Sequence, residues 1–151
     1  MDIAKEANLL YESIKMYSLS KQQEFAREDY KQLQKLLVYD QNNENIAKLF
    51  AQASGTMAVT DEINLAGEYF ENIRLLRKKY PAIEEIALIE LRTLFFIILG
   101  INGSDAAHEN REDIELLCND FFSISAPYSK NEEIAGFIKI IEKDVLQYDK
   151  K

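Results

Sequence analysis

Residues 79–99 read KYPAIEEIALIELRTLFFIIL, from Lys79 to Leu99, and this stretch decides the fold. Tyr80-Pro81 stops the helix before it, and a proline suits the first position of the helix that follows. Beyond it stand Ile83, Ile86, Ala87, Leu88, Ile89, Leu91, Leu94, Phe95, Phe96, Ile97 and Ile98. So many apolar residues cannot share one narrow stripe, and a helix that is apolar nearly all round is buried on most sides. The helix from about Pro81 to Leu99 is therefore expected to be central, with neighbours on both sides. Glu84-Glu85 in its first turn complement the positive end of its dipole.

The phrase that opens this helix occurs three times: Glu44-Asn45-Ile46-Ala47, Glu84-Glu85-Ile86-Ala87 and Glu132-Glu133-Ile134-Ala135. The isoleucines are 40 and 48 residues apart. Each phrase follows a tyrosine (Tyr39, Tyr80, Tyr128), and an apolar residue (Met57, Ile97, Val145) comes eleven positions after each isoleucine. A unit recurring every forty-odd residues points to stacked helical hairpins.

The flanking segments read the same way. Ile3, Ala7, Leu10, Ile14 and Tyr17 form one stripe, so the first helix runs from about Ile3 to Leu19. Ser20 with Gln23 has the spacing of a capping box for a second helix with Phe25, Tyr30, Leu33, Leu36 and Leu37 on its stripe. Tyr39 to Asn43 is a polar turn. A third helix carries Ile46, Leu49, Phe50, Ala53 and Met57, and ends at Val59-Thr60-Asp61, which also supplies the next cap. The fourth carries Ile63, Phe70, Ile73 and Leu76, and ends in Arg77-Lys78-Lys79, cations that suit the negative end of the dipole. After the central helix, Gly100 and Asn102-Gly103 make a break, and Ser104 to Arg111 is polar. A sixth helix has Ile114, Leu117, Cys118, Phe121 and Phe122. Ser129 with Glu132 marks a capping box for the last, with Ile134, Phe137, Ile138, Ile141 and Val145, and Tyr148 to Lys151 is a loose tail. No period-two alternation competes. The expectation is an all-α fold of about seven antiparallel helices packed as hairpins, either an α-solenoid or a repeat-like bundle. It is read as one domain over 1–151, with an N-terminal helix over 1–19 and three stacked hairpins over 20–148.

Glu68 to Ala87, with Ala66 just before it, resembles the tetratricopeptide repeats: Ala66, Phe70 and Ile73 on a closing helix, then Tyr80-Pro81, then Ala87 on the next. The units here are longer than the roughly 34 residues of that repeat, and lengths in the forties are similar to HEAT-like pairs. Such a resemblance implies a concave face that binds a partner and no catalysis. It carries over no functional residue, because the matching positions are packing positions.

Composition narrows the function further. The net charge of −8, from 26 acidic and 18 basic residues, argues against a nucleic-acid partner and against an anionic membrane surface. No apolar run approaches the ~18 residues of a membrane span. The N-terminus has no basic start followed by an apolar core, and Cys118 has no second cysteine to pair with, so a cytoplasmic protein is expected. His108 and Cys118 are the only strong transition-metal ligands, too few for a zinc site. Cys118 lies on an apolar stripe among acids, which suits a small hydrophobe better than a nucleophile. Gly100-Ile101-Asn102-Gly103-Ser104 lacks the lysine and preceding strand of a phosphate-binding loop. No catalytic, cofactor or metal residue is expected, and the protein is read as not an enzyme.

What remains are charge clusters and tyrosines. Arg74, Arg77 and Lys78 belong to a basic end of the fourth helix, and Glu109, Glu112 and Asp113 to an acidic stretch from Asp105 to Asp120. These six, with Tyr39, Tyr80 and Tyr128, are the candidate partner-binding residues. Charged regions can equally be solvated faces or pair within the fold, and the tyrosine hydroxyls can bond turn carbonyls. Two functions are carried. One is a small helical-repeat adaptor holding a peptide or helix in a groove. The other is an acidic inhibitor or immunity-type protein masking a basic site on a partner. The crowded central helix adds homodimerisation as a further option.

Overall fold

The recurring phrase opens a helix each time. In the computed structural model, which describes residues 2–147, Glu44, Glu84 and Glu132 are the first residues of three α-helices. The isoleucine at the third position of each is buried: Ile46, Ile86 and Ile134. Asn43 and Asn131 cap two of these starts. The Asn43 side chain accepts from the Asn45 and Ile46 amides and the Asn131 side chain from the Ile134 amide.

The protein is all-α. Among the described residues seven α-helices follow one another: α1 (Ile3–Leu19), α2 (Gln23–Tyr39), α3 (Glu44–Thr60), α4 (Ile63–Lys79), α5 (Glu84–Asn102), α6 (Arg111–Ser125) and α7 (Glu132–Ile140). A 3₁₀ turn at Ala126–Tyr128 precedes α7, and a π-helical turn at Ile141–Val145 continues it. The described residues contain no strand.

The chain forms two compact units, Met1–Glu90 and Leu91–Lys151, and the division falls within α5. In the first unit α1 packs along α2 and α3 along α4, as two antiparallel hairpins, and α3 also lies against α1 and α2. The 40-residue step reaches further back than the three phrases: α4 begins at Ile63, 40 residues after α2 begins at Gln23. The buried pairs Ala26/Ala66, Tyr30/Phe70 and Leu33/Ile73 keep the same step. Ile14, Leu33, Ile46, Met57, Ile73 and Ile86 fill the centre of this core. In the second unit Phe95 stacks on Phe137 with ring centroids 4.0 Å apart and lies 6.5 Å from Phe121. Leu91, Leu94, Ile98, Ile114, Cys118, Ile141 and Val145 are buried.

Local details depart from the sequence expectations. Pro81 lies in a turn, and α5 begins three residues later, at Glu84. The turn is closed by the Ile83 amide donating to the Tyr80 carbonyl. Ser20 does not cap α2. Its hydroxyl donates back to the Met16 and Tyr17 carbonyls, closing α1, and Gln23 donates to the Ser18 and Thr60 carbonyls. Asn131, not Ser129, caps α7. Phe25 and Ile63, assigned to buried stripes, are exposed at the starts of α2 and α4. The tail from Tyr148 lies outside the described residues.

Candidate partner-binding groove

Two helices whose inner faces are covered by α3 still carry apolar residues on their outer faces. On α2 this is Val38, beside the half-buried Leu37, and on α4 Leu75. Val38 is 62% exposed and Leu75 is 55% exposed. They border a groove of about 270 Å³ lined by Gln34, Leu37, Val38 and Gln41 on one side and Asn72, Leu75, Leu76 and Lys79 on the other, with Phe50 of α3 as its floor. A neighbouring recess of about 390 Å³ shares Gln34 and Val38 with the groove and extends along α2 past Lys31 and Lys35.

The groove is held open by bonds behind it. Tyr30 stacks on Phe50 with centroids 4.8 Å apart. Its hydroxyl contacts the Ser54 hydroxyl at 2.7 Å and accepts from the Asn72 amide at 2.9 Å. Burial pushes the Tyr30 phenol up to about 12, against the smaller opposing pull of those bonds, so it stays protonated. The far end is closed at the Gln41 carbonyl, which accepts from Lys79 at 2.5 Å and from the Tyr80 hydroxyl at 2.9 Å.

A second, wider recess of about 940 Å³ lies where the α1–α2 and α3–α4 turns meet. Leu19, Phe25 and Val59 are exposed there. Its wall contains Asp61, whose buried side chain accepts from Arg27 at 2.5 and 2.9 Å and from the Tyr69 hydroxyl at 2.6 Å. Burial alone would raise the Asp61 carboxyl. Arg27, Tyr69 and the Glu62 amide outweigh that and hold it below the usual carboxylate range. Both Asp61 carboxylate oxygens are engaged with neighbours, so this is a structural ion pair.

The residues singled out from the sequence fall in three kinds of place. Arg74 and Arg77 both point at Glu90, whose side chain is fully buried in α5: Arg74 Nε lies 3.2 Å from Glu90 Oε2, and Arg77 Nε bonds the other oxygen. Arg74 also lies over the Phe70 ring. These two arginines are internal partners of a buried charge, whereas Lys78 is exposed. Tyr80 bonds a turn carbonyl, the packing role. Tyr39 is exposed, and Tyr128 is half-buried in the 3₁₀ turn. In the second unit Glu109, Glu112 and Asp113 are exposed. Arg111 beside them donates to Asn102 and to the Val145 carbonyl.

The residues the sequence reading missed are Gln34, Val38 and Leu75 with Lys31 and Lys35 beside them. Val38 and Leu75 are apolar but belong to neither helix's buried stripe, and that off-stripe position was the available signal.

Comparison of the chain with protein-family models, with curated proteins and with solved structures finds no match. Among the described residues no group of three or more His, Cys, Asp or Glu side chains could hold a metal ion. Burial pushes the Cys118 thiol up to about 11, away from the range of a nucleophile. No described helix is long and apolar enough to cross a membrane.

Proposed function

We propose that this chain is a non-enzymatic interaction module of the helical-repeat kind, similar in plan to tetratricopeptide or HEAT-like arrays, and that it holds a helical or peptide segment of another protein. The observation that carries the reading is the α2/α4 groove, where Val38 and Leu75 stand exposed over a buried aromatic floor. Apolar side chains left on the rim of a pre-formed groove favour helix-in-groove recognition, in which a few anchors supply most of the binding energy. Selection of random displayed peptides against the intact protein tests it. Binders should emerge whose affinity is lost in Val38→Glu and in Leu75→Glu. A selection that yields no peptide sensitive to either change refutes the assignment.

The alternative, an acidic protein that masks a basic site, draws on Glu109, Glu112 and Asp113 being exposed around the start of α6. Charge reversal of all three should then release a captured basic partner, and retention of that partner would dispose of this alternative.

A further inference from the structure

The charged residues that line the groove have one sign. Among the residues lining it and the neighbouring recess along α2, the only charged ones are Lys31, Lys35 and Lys79, in a chain with 26 acidic and 18 basic residues. Lys31 and Lys35 have no ion-pair partner among the described residues. Lys79 donates to a neutral carbonyl and lies over the Tyr80 ring, and neither neighbour carries a negative charge. Lys31 and Lys35 lie four apart on one helix, so they sit side by side and repel one another until an anion is placed between them.

We propose that the occupant of this groove is an acidic amphipathic helix: apolar on the face that meets Leu37, Val38 and Leu75, with carboxylates along the edge that meets Lys31 and Lys35 of α2 and at the opposite edge that meets Lys79 of α4. This rests on reading the groove as the binding site. The α2 segment from Lys31 to Val38 is about 10 Å long at a rise of 1.5 Å per residue, so the contact covers about two helical turns. Carboxylates three or four apart on a helix repeat at the spacing of Lys31 and Lys35. An extended segment that adds to a sheet needs a sheet edge, and the described residues offer none.

The test uses three synthetic helical peptides of about four turns. They share one leucine stripe and differ only in having Glu, Gln or Lys beside it. Binding to the intact protein is read by fluorescence anisotropy. The Glu peptide should bind roughly tenfold tighter than the Gln peptide, with the Lys peptide weakest, and the advantage should shrink as salt screens the rim. The double variant Lys31→Glu/Lys35→Glu, both at exposed positions, should reverse the order. Equal binding of all three peptides, unchanged by that variant, overturns the acidic assignment and leaves the groove standing. If none of the three binds, the groove reading fails along with it.

Discussion

Glu90 is the residue on which the sequence misleads most. It stands in the middle of a largely apolar helix, and its side chain is buried. Two arginines compensate it, and removing one partner of a buried pair leaves the other charge unsolvated. Glu90→Ala should therefore destabilise the protein by about 3–5 kcal/mol, measured by urea unfolding. Arg74→Ala alone should cost less, because Arg77 remains. Asp61 is the second such residue. Its carboxyl is held below its ordinary value in the folded state. Its contribution is therefore complete above about pH 4, and it disappears as acid carries the pH down through the depressed folded value. Asp61→Asn should cost about 1–3 kcal/mol at neutral pH, the lower end allowing for the exposed side of Arg27. The loss should fade in acid, so the two stability curves converge there. Cys118 should resist thiol reagents in the native protein and react only on unfolding. Labelling at the native rate of a free thiol would contradict its burial.

At the scale of the element, α5 was recognisable from Lys79–Leu99 because crowding of apolar residues forces most of them into the core, Phe96 being the exposed exception. Its start was not. A proline after tyrosine reads as a helix opening, but Pro81 is used in the turn, and three more residues pass before Glu84 begins the helix. The caps mislead for a similar reason. Ser-x-x-Gln and Ser-x-x-Glu carry the right residue types, but Ser20 finds carbonyls of α1 within reach, and Asn131 sits nearer the α7 start than Ser129. Asn43→Ala and Asn131→Ala should each lower stability by about 1 kcal/mol, and Ser129→Ala by much less. Stripe periodicity located Tyr30, Leu33, Ile73 and Leu76 correctly. It misplaced Phe25 and Ile63, because the first turn of a helix projects past its neighbours and an apolar residue there need not be covered.

For the whole molecule, the all-α class and the forty-residue step were legible, since both follow from local pattern. The groove was not legible, because it is made by residues from α2, α3 and α4 that only stacking brings together. Its rim and its floor should respond differently to substitution. Val38→Glu and Leu75→Glu should leave stability within about 0.5 kcal/mol of the parent, whereas Phe50→Ala, which removes the floor, should cost about 3–5 kcal/mol. Acidity also has a colloidal consequence. With a pI near 4.8, solubility should pass through a minimum close to that pH, seen as maximal light scattering. That minimum lies above the range in which Asp61 becomes protonated, so the two effects of acid separate on a pH scan.

The arginine pair on Glu90 also restricts how the chain length can vary. Arg74 and Arg77 are one turn apart on α4, and both must face a single carboxylate. Inserting one residue between Arg77 and Arg74 would swing one guanidinium about 100° around the helix axis, away from its acceptor. The same insertion in the Pro81–Ala82 turn could be absorbed by the loop. Length changes are thus expected to be tolerated in the joint and rejected inside α4.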